Sequence, residues 1–134
     1  MASLHEGTEF TGRSELPRGW VDDVFRYCTF AGLDVEGQAF EGVLSGCTLK
    51  DCSWYWGLFN TATFVQVEFH GCVFRGSGFA GCLFAKCRFV DCRFVKDNLG
   101  ADCRFTECAW YDCEQAGCEG LPRPFASETE RHRN

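Results

Sequence analysis

Eleven cysteines in a chain of 134 residues are the first candidates for chemistry, because thiolates bind soft metals, attack electrophiles and exchange disulfides. Zinc needs four ligands converging on one point at about 2.3 Å, commonly presented by Cys-x2-Cys turns. Here the closest cysteines lie five apart, as in Cys82, Cys87 and Cys92, a spacing that builds no such turn. The histidines His5, His70 and His132 have no carboxylate or cysteine at catalytic spacing, and glycine-rich phosphate loops are missing. The expectation is therefore no catalytic residue, no metal and no cofactor, with the thiols reduced and packed as small hydrophobes.

What positions the cysteines is a period. Each lies two residues before a position that recurs every fifth residue: Phe25, Phe30, Val35 and Phe40, then, after a one-residue deletion, Leu44, Leu49, Trp54, Phe59, Phe64, Phe69, Phe74, Phe79, Phe84, Phe89, Phe94 and Leu99. After a one-residue insertion the frame resumes at Phe105, Trp110, Gln115 and Gly120. Twelve of the fourteen phenylalanines occupy these centres. Neither a helix of period 3.6 nor a strand of period 2 repeats in fives, so the signal is a repeat architecture.

These tandem units, over residues 23–120, resemble the pentapeptide-repeat family, whose motif has a small residue at i−2 and Phe or Leu at the centre i; Asp97-Asn98-Leu99 comes near its most quoted form. The resemblance implies an all-β fold, a right-handed quadrilateral β-helix of about five coils. Four pentads make one square coil, with i and i−2 pointing inward. Residues about twenty apart then stack at the strand spacing of about 4.8 Å. The expected columns include Phe25/Leu44/Phe64/Phe84/Phe105, a thiol stack Cys52/Cys72/Cys92/Cys113, and an i−2 column Gln38/Gly57/Ser77/Asp97/Cys118 that buries the Asp97 carboxylate against backbone amides. Residues 1–22 are expected to form an N-terminal cap or tail, with Trp20 in phase. Residues 121–134 form a C-terminal cap and polar tail in which Phe125 folds over the open end.

With the interior given to packing, recognition falls to i−1, i+1 and i+2. The candidate partner-binding residues are Tyr55, Trp56 and Arg75; Val43 and Leu83 in an apolar i−1 stripe that ends at Arg104; and an acidic column of Asp51, Asp91 and Asp112. Trp56 has Gly37 and Gly76 as column neighbours, leaving flat backbone for the indole. The net charge of −6 argues against direct nucleic-acid binding. A basic cluster of Arg75, Lys86, Arg88, Arg93, Lys96 and Arg104 breaks any uniform imitation of a DNA backbone.

The resemblance implies a non-catalytic protein that binds and neutralises or modulates another protein. The family includes quinolone-resistance and self-immunity proteins that act on DNA gyrase and are thought to mimic DNA. The expected partner is a toxin nuclease or a gyrase-like enzyme, and the role that of an immunity protein, antitoxin or resistance protein; the alternative is a scaffolding module without inhibitory activity. The quinolone-resistance proteins are longer, dimerise through a C-terminal element and carry projecting loops, whereas this frame shows only single-residue slips and an almost wholly polar tail. A cytoplasmic monomer is expected, with no membrane contact, since neither a signal peptide nor an apolar run of membrane-spanning length is present.

Overall fold

The computed structural model describes residues 3–11, 16 and 19–122. Each pentad contributes a strand of two or three residues whose centre points inward, followed by a corner. At the corner the i+2 residue turns left-handed, as at Asp51 (φ 53°), Trp56 (φ 58°) and Gly71 (φ 63°). Glycine reaches this region without strain, which explains its recurrence at i+2. At several corners where a larger residue stands, its side chain lies over a glycine one coil on: Asp51 over Gly71, Trp56 over Gly76 and Asp91 over Gly117.

Parallel pairing arranges the strands into four faces. The first face runs Leu4–Glu6, Val24–Arg26, Val43–Ser45, Thr63–Val65, Leu83–Ala85 and Ala109–Tyr111; the second runs Glu9–Phe10, Thr29–Ala31, Thr48–Lys50, Glu68–His70, Arg88–Val90 and Glu114–Ala116. The third comprises Asp34–Glu36, Ser53–Tyr55, Val73–Arg75 and Arg93–Val95, and the fourth Ala39–Phe40, Leu58–Asn60, Gly78–Ala80 and Arg104–Thr106. Four complete turns, over residues 24–106, are thus flanked by a half-turn at each end. The molecule is a right-handed quadrilateral β-helix. Six strands at the usual spacing make its longest faces about 24 Å tall.

Centre residues stack ring on ring inside this square. Phe64 lies 4.7 Å from Phe84, and Phe84 lies 4.2 Å from Trp110, with planes within 10° of parallel. Similar offset stacks join Phe69 to Phe89 and Phe74 to Phe94. Val35 is the smallest centre of the first full turn, and Trp20 fills the space there, 4.5 Å from Phe40 and 5.7 Å from Trp54. Residues 4–10, expected as cap, extend the columns themselves: His5 pairs with Phe25 and Phe10 with Phe30. Phe125 lies outside the described residues.

One expectation is overturned. Between Phe94 and Phe105 the chain does not slip by one residue but throws out a loop that omits a whole pentad. Leu99, expected as a buried centre, is 85% exposed. Phe105 consequently stacks on Phe79, Trp110 on Phe84, and Gln115 pairs with Phe89, so every residue after 102 stands one face away from its expected place. Cys118, not Cys113, tops the stack of Cys52, Cys72 and Cys92; Cys113 lies above Cys87; and Cys103 replaces Asp97 above Ser77.

A candidate protein-binding surface

The thiols come first because they looked most like chemistry. None of the eleven forms a disulfide, and most donate to the carbonyl of a centre residue one coil earlier, as Cys82 does to Phe59 (3.1 Å) and Cys103 to Phe74 (3.1 Å). Ser77 does the same to Trp54 at 3.2 Å. A small i−2 side chain with a donor therefore fills the corner and satisfies a buried oxygen. Burial pushes the Cys47 thiol up to about 11, and Cys72 is pushed well up by its stacked neighbours Cys52 and Cys92 as well as by burial. Cys47 and Cys72 therefore stay protonated at neutral pH and are poor nucleophiles, whereas hydrogen bonds with the stacked thiols Cys118 and Cys82 lower the pKa of Cys92 and Cys108. No group of three or more metal-ligating side chains converges among the described residues.

The histidines do meet carboxylates, against the sequence expectation. His70 Nε2 lies 2.8 Å from Glu68 Oε1 on the exposed second face, because i−1 and i+1 of one strand stand side by side. His5 Nε2 lies 2.8 Å from Asp23 Oδ2, and the imidazole stacks on Phe25 at 4.5 Å. Asp23 is the buried carboxylate that sequence reasoning missed: it is i−2 to Phe25 and 1% exposed. Burial works to raise its pKa, but the Ser3 amide at 2.8 Å and His5 outweigh that and hold it below the usual carboxylate range. His5 and Asp23 line neither of two surface cavities, one walled by Leu58, Phe59, Asn60, Gly78, Phe79, Ala80, Arg104 and Thr106 and another by Gln66, Glu68, Lys86, Cys87, Arg88, Asp112 and Glu114, whereas of the second pair Glu68 lines the latter and His70 does not.

Tyr55, Trp56 and Arg75 converge on the base of the unexpected loop. Asp97, expected inside, stands at the surface and organises residues 97–101. Its Oδ1 accepts the Leu99 and Ala101 amides, both at 2.8 Å, and its Oδ2 accepts the Trp56 indole N–H at 2.7 Å. These donors, the indole foremost, lower its pKa. The Asn98 amide donates to the Tyr55 hydroxyl at 3.2 Å, and Arg75 Nη1 donates to the Lys96 carbonyl at 3.3 Å. Gly76 is required beneath: a Cβ there would come within 2.8 Å of Asp97 Cβ and 3.1 Å of the indole. The pair of aromatics is thus a clamp on the loop as well as a surface, with Trp56 still 40% exposed.

The remaining candidates divide between walls. Val43 and Leu83 lie in one row of the first face with Leu4, Val24, Thr63 and Ala109. Arg104, expected at the end of that row, belongs to the fourth face with Leu58 and Gly78. Asp51 and Asp91 share a corner of the second face, but Asp112 stands at the corner after the first face, one coil above Lys86. The loop explains both displacements. Charge is segregated: the outward pairs Val43/Ser45, Thr63/Val65, Leu83/Ala85, Leu58/Asn60 and Gly78/Ala80, with Thr61 and Gly81 at the corner between the two faces, carry none. The second and third faces carry Lys50, Glu68, Arg88, Asp34, Glu36, Arg75 and Arg93, the last paired with Glu119 at 2.7 Å.

A square, right-handed parallel coil of pentads is the fold of pentapeptide-repeat proteins. Among solved structures it is similar to a trypsin-treated variant of QnrB1, a plasmid-mediated fluoroquinolone resistance protein, with a TM-score of 0.53 at 16% identity over 87% of this chain and 67% of that one. A second trypsin-treated QnrB1 variant aligns over 99% of this chain and 97% of that one at 14% identity with a TM-score of 0.37. No family model and no curated protein sequence matches the chain.

Proposed function

We propose that this rod is a non-catalytic binding protein that neutralises or modulates a nucleic-acid-processing enzyme, a DNA gyrase or a toxin nuclease. One observation carries the reading: the interior is filled by stacked rings and thiols, while two adjacent outer faces are kept free of charge over their middle coils. Flat, uncharged, partly apolar walls of this extent commonly serve protein contact. The fluoroquinolone resistance of QnrB1 supports gyrase as the enzyme class. Val43, Leu83 and the clamped loop beside Tyr55 and Trp56 are the contact residues in this reading, with Asp112 at the margin of the first face and Asp51 and Asp91 on the opposite corner.

Two enzyme assays test it. The chain is titrated into gyrase supercoiling and fluoroquinolone-stabilised DNA cleavage reactions, and it is co-expressed with a nuclease toxin encoded beside its gene. Relief of drug-stabilised cleavage, or rescue of growth from the toxin, is expected. Failure of both would remove the reading.

A further inference from the structure

Gly78 has no structural reason to be glycine. Among the described glycines, most are at left-handed corners, and Gly19, Gly42 and Gly57 have ordinary φ but a neighbour within about 3.1 Å of a would-be Cβ. Gly78 has neither constraint: its φ is ordinary, and the nearest atom to a Cβ, Leu58 Cδ2, is an unstrained 3.6 Å away. It sits mid-strand on the fourth face, where glycine weakens a sheet and commonly marks close approach by another molecule. Its missing side chain opens a cavity of about 330 Å³ between Leu58 and Arg104, floored by Phe59 and Phe79 and flanked by Asn60 and Ala80. Leu58 is 58% exposed at one rim. Arg104 stands at the other, with no acid paired to it among the described residues.

We infer that this notch is a docking site for a partner protein segment that places a leucine- or phenylalanine-sized side chain against Gly78 and a neighbouring carboxylate on Arg104. The apolar floor sets the first requirement. The Arg104 guanidinium, which has no acid partner and is the one cation at the cavity among the described residues, sets the second, since an arginine engages a carboxylate through two parallel hydrogen bonds. The notch is continuous with the uncharged corner at Thr61 and Gly81, so an extended segment has room to lie across both faces. The inference rests on the reading of the chain as a protein-binding rod and names the partner chemistry that rod would recognise.

The test is selection of short random peptides displayed on phage against the purified full chain, followed by titration of the enriched peptides on the wild type, Gly78→Val and Arg104→Gln. The expected consensus is an apolar residue beside Asp or Glu. Gly78→Val should abolish binding while melting no lower than the wild type, because valine suits a strand and its Cβ would meet only Leu58 Cδ2, in ordinary contact at 3.6 Å. Arg104→Gln should weaken binding by about tenfold, and changing the peptide acid to its amide should cost the same on the wild type but nothing further on Arg104→Gln. Enriched peptides indifferent to both substitutions, or no enriched sequence at all, would overturn the notch. The wider reading fails separately, by the enzyme assays above.

Discussion

Phe84→Ala tests whether stability in this rod is a sum of neighbour contacts between coils. Phe84 is 1% exposed and stacks between Phe64 at 4.7 Å and Trp110 at 4.2 Å, with Phe79 and Phe89 at its edges. Removing the ring loses its transfer free energy and leaves a cavity walled by parallel strands that cannot close independently, so the cost should be about 3–5 kcal/mol. For a chain of this size that is a fall in melting temperature of roughly 10–20 °C. Phe105 is the control. It stacks face to face on Phe79 alone, at 4.8 Å, and is partly exposed near the end of the rod, so Phe105→Ala should cost about half as much. Calorimetric melts of both variants decide the matter. Equal losses, or a Phe84→Ala loss below about 1 kcal/mol, would refute the account of the core as coils coupled through stacked rings.

Three further outcomes follow from particular residues. Asp23 has a folded-state pKa below the ordinary value, so its contribution is present above the unfolded-state pKa of about 3.9 and is lost as pH falls through the lowered one; Asp23→Ala should cost about 1–3 kcal/mol at neutral pH by orphaning the Ser3 amide and His5, and should flatten the acid limb of a stability–pH curve. Gly42→Ala would drive a Cβ into the Asp23 carbonyl oxygen and should destabilise by about 1–3 kcal/mol, whereas Gly78→Ala should not lower the melting temperature; equal melts would deny the short corner its steric cause. Trp56→Phe removes the indole N–H from Asp97, so amide exchange at Leu99 and Ala101 should quicken and the Asp97 pKa should rise toward the ordinary range while the melting temperature stays close to that of the wild type; unchanged exchange would show that the loop holds its shape without the clamp.

The fold was legible because its period is unlike that of any single secondary structure and because twelve phenylalanines and eleven cysteines share one phase. The loop was not, for an arithmetical reason. It is one pentad plus one residue long, and counting in fives is blind to a missing pentad, so Asp97-Asn98-Leu99 passes for one more repeat. A signal was present: Asp97 puts a carboxylate at a position held from Cys28 to Cys92 by uncharged residues, with Gly100 and Ala101 following. Asp23 was legible in principle too, since the frame makes it i−2 to Phe25, but its neutralising partners Ser3 and His5 come from a half-turn whose pentads lie ahead of the recognisable repeat. Charge segregation needed the coordinates, because moving the last coil by one face takes Arg104 off the Val43/Leu83 wall and separates Asp112 from Asp51 and Asp91.

In this architecture three of the five positions in a pentad answer to folding. The centre and i−2 fill the interior, and i+2 turns left-handed at most corners, which favours glycine. Only i−1 and i+1 are free of that duty, and stability is nearly indifferent to what they carry. A random draw from a chain that is 24% charged would scatter acids and bases over all four faces. Leaving the middle of two adjacent faces uncharged, while Glu68, Arg88, Arg75 and Arg93 crowd the other two, is what the proposed partner contact would require. Gly78 has the same character at the scale of one residue: it gives up strand stability at a place where the backbone asks for nothing, and the inferred docking of a partner side chain would account for that loss.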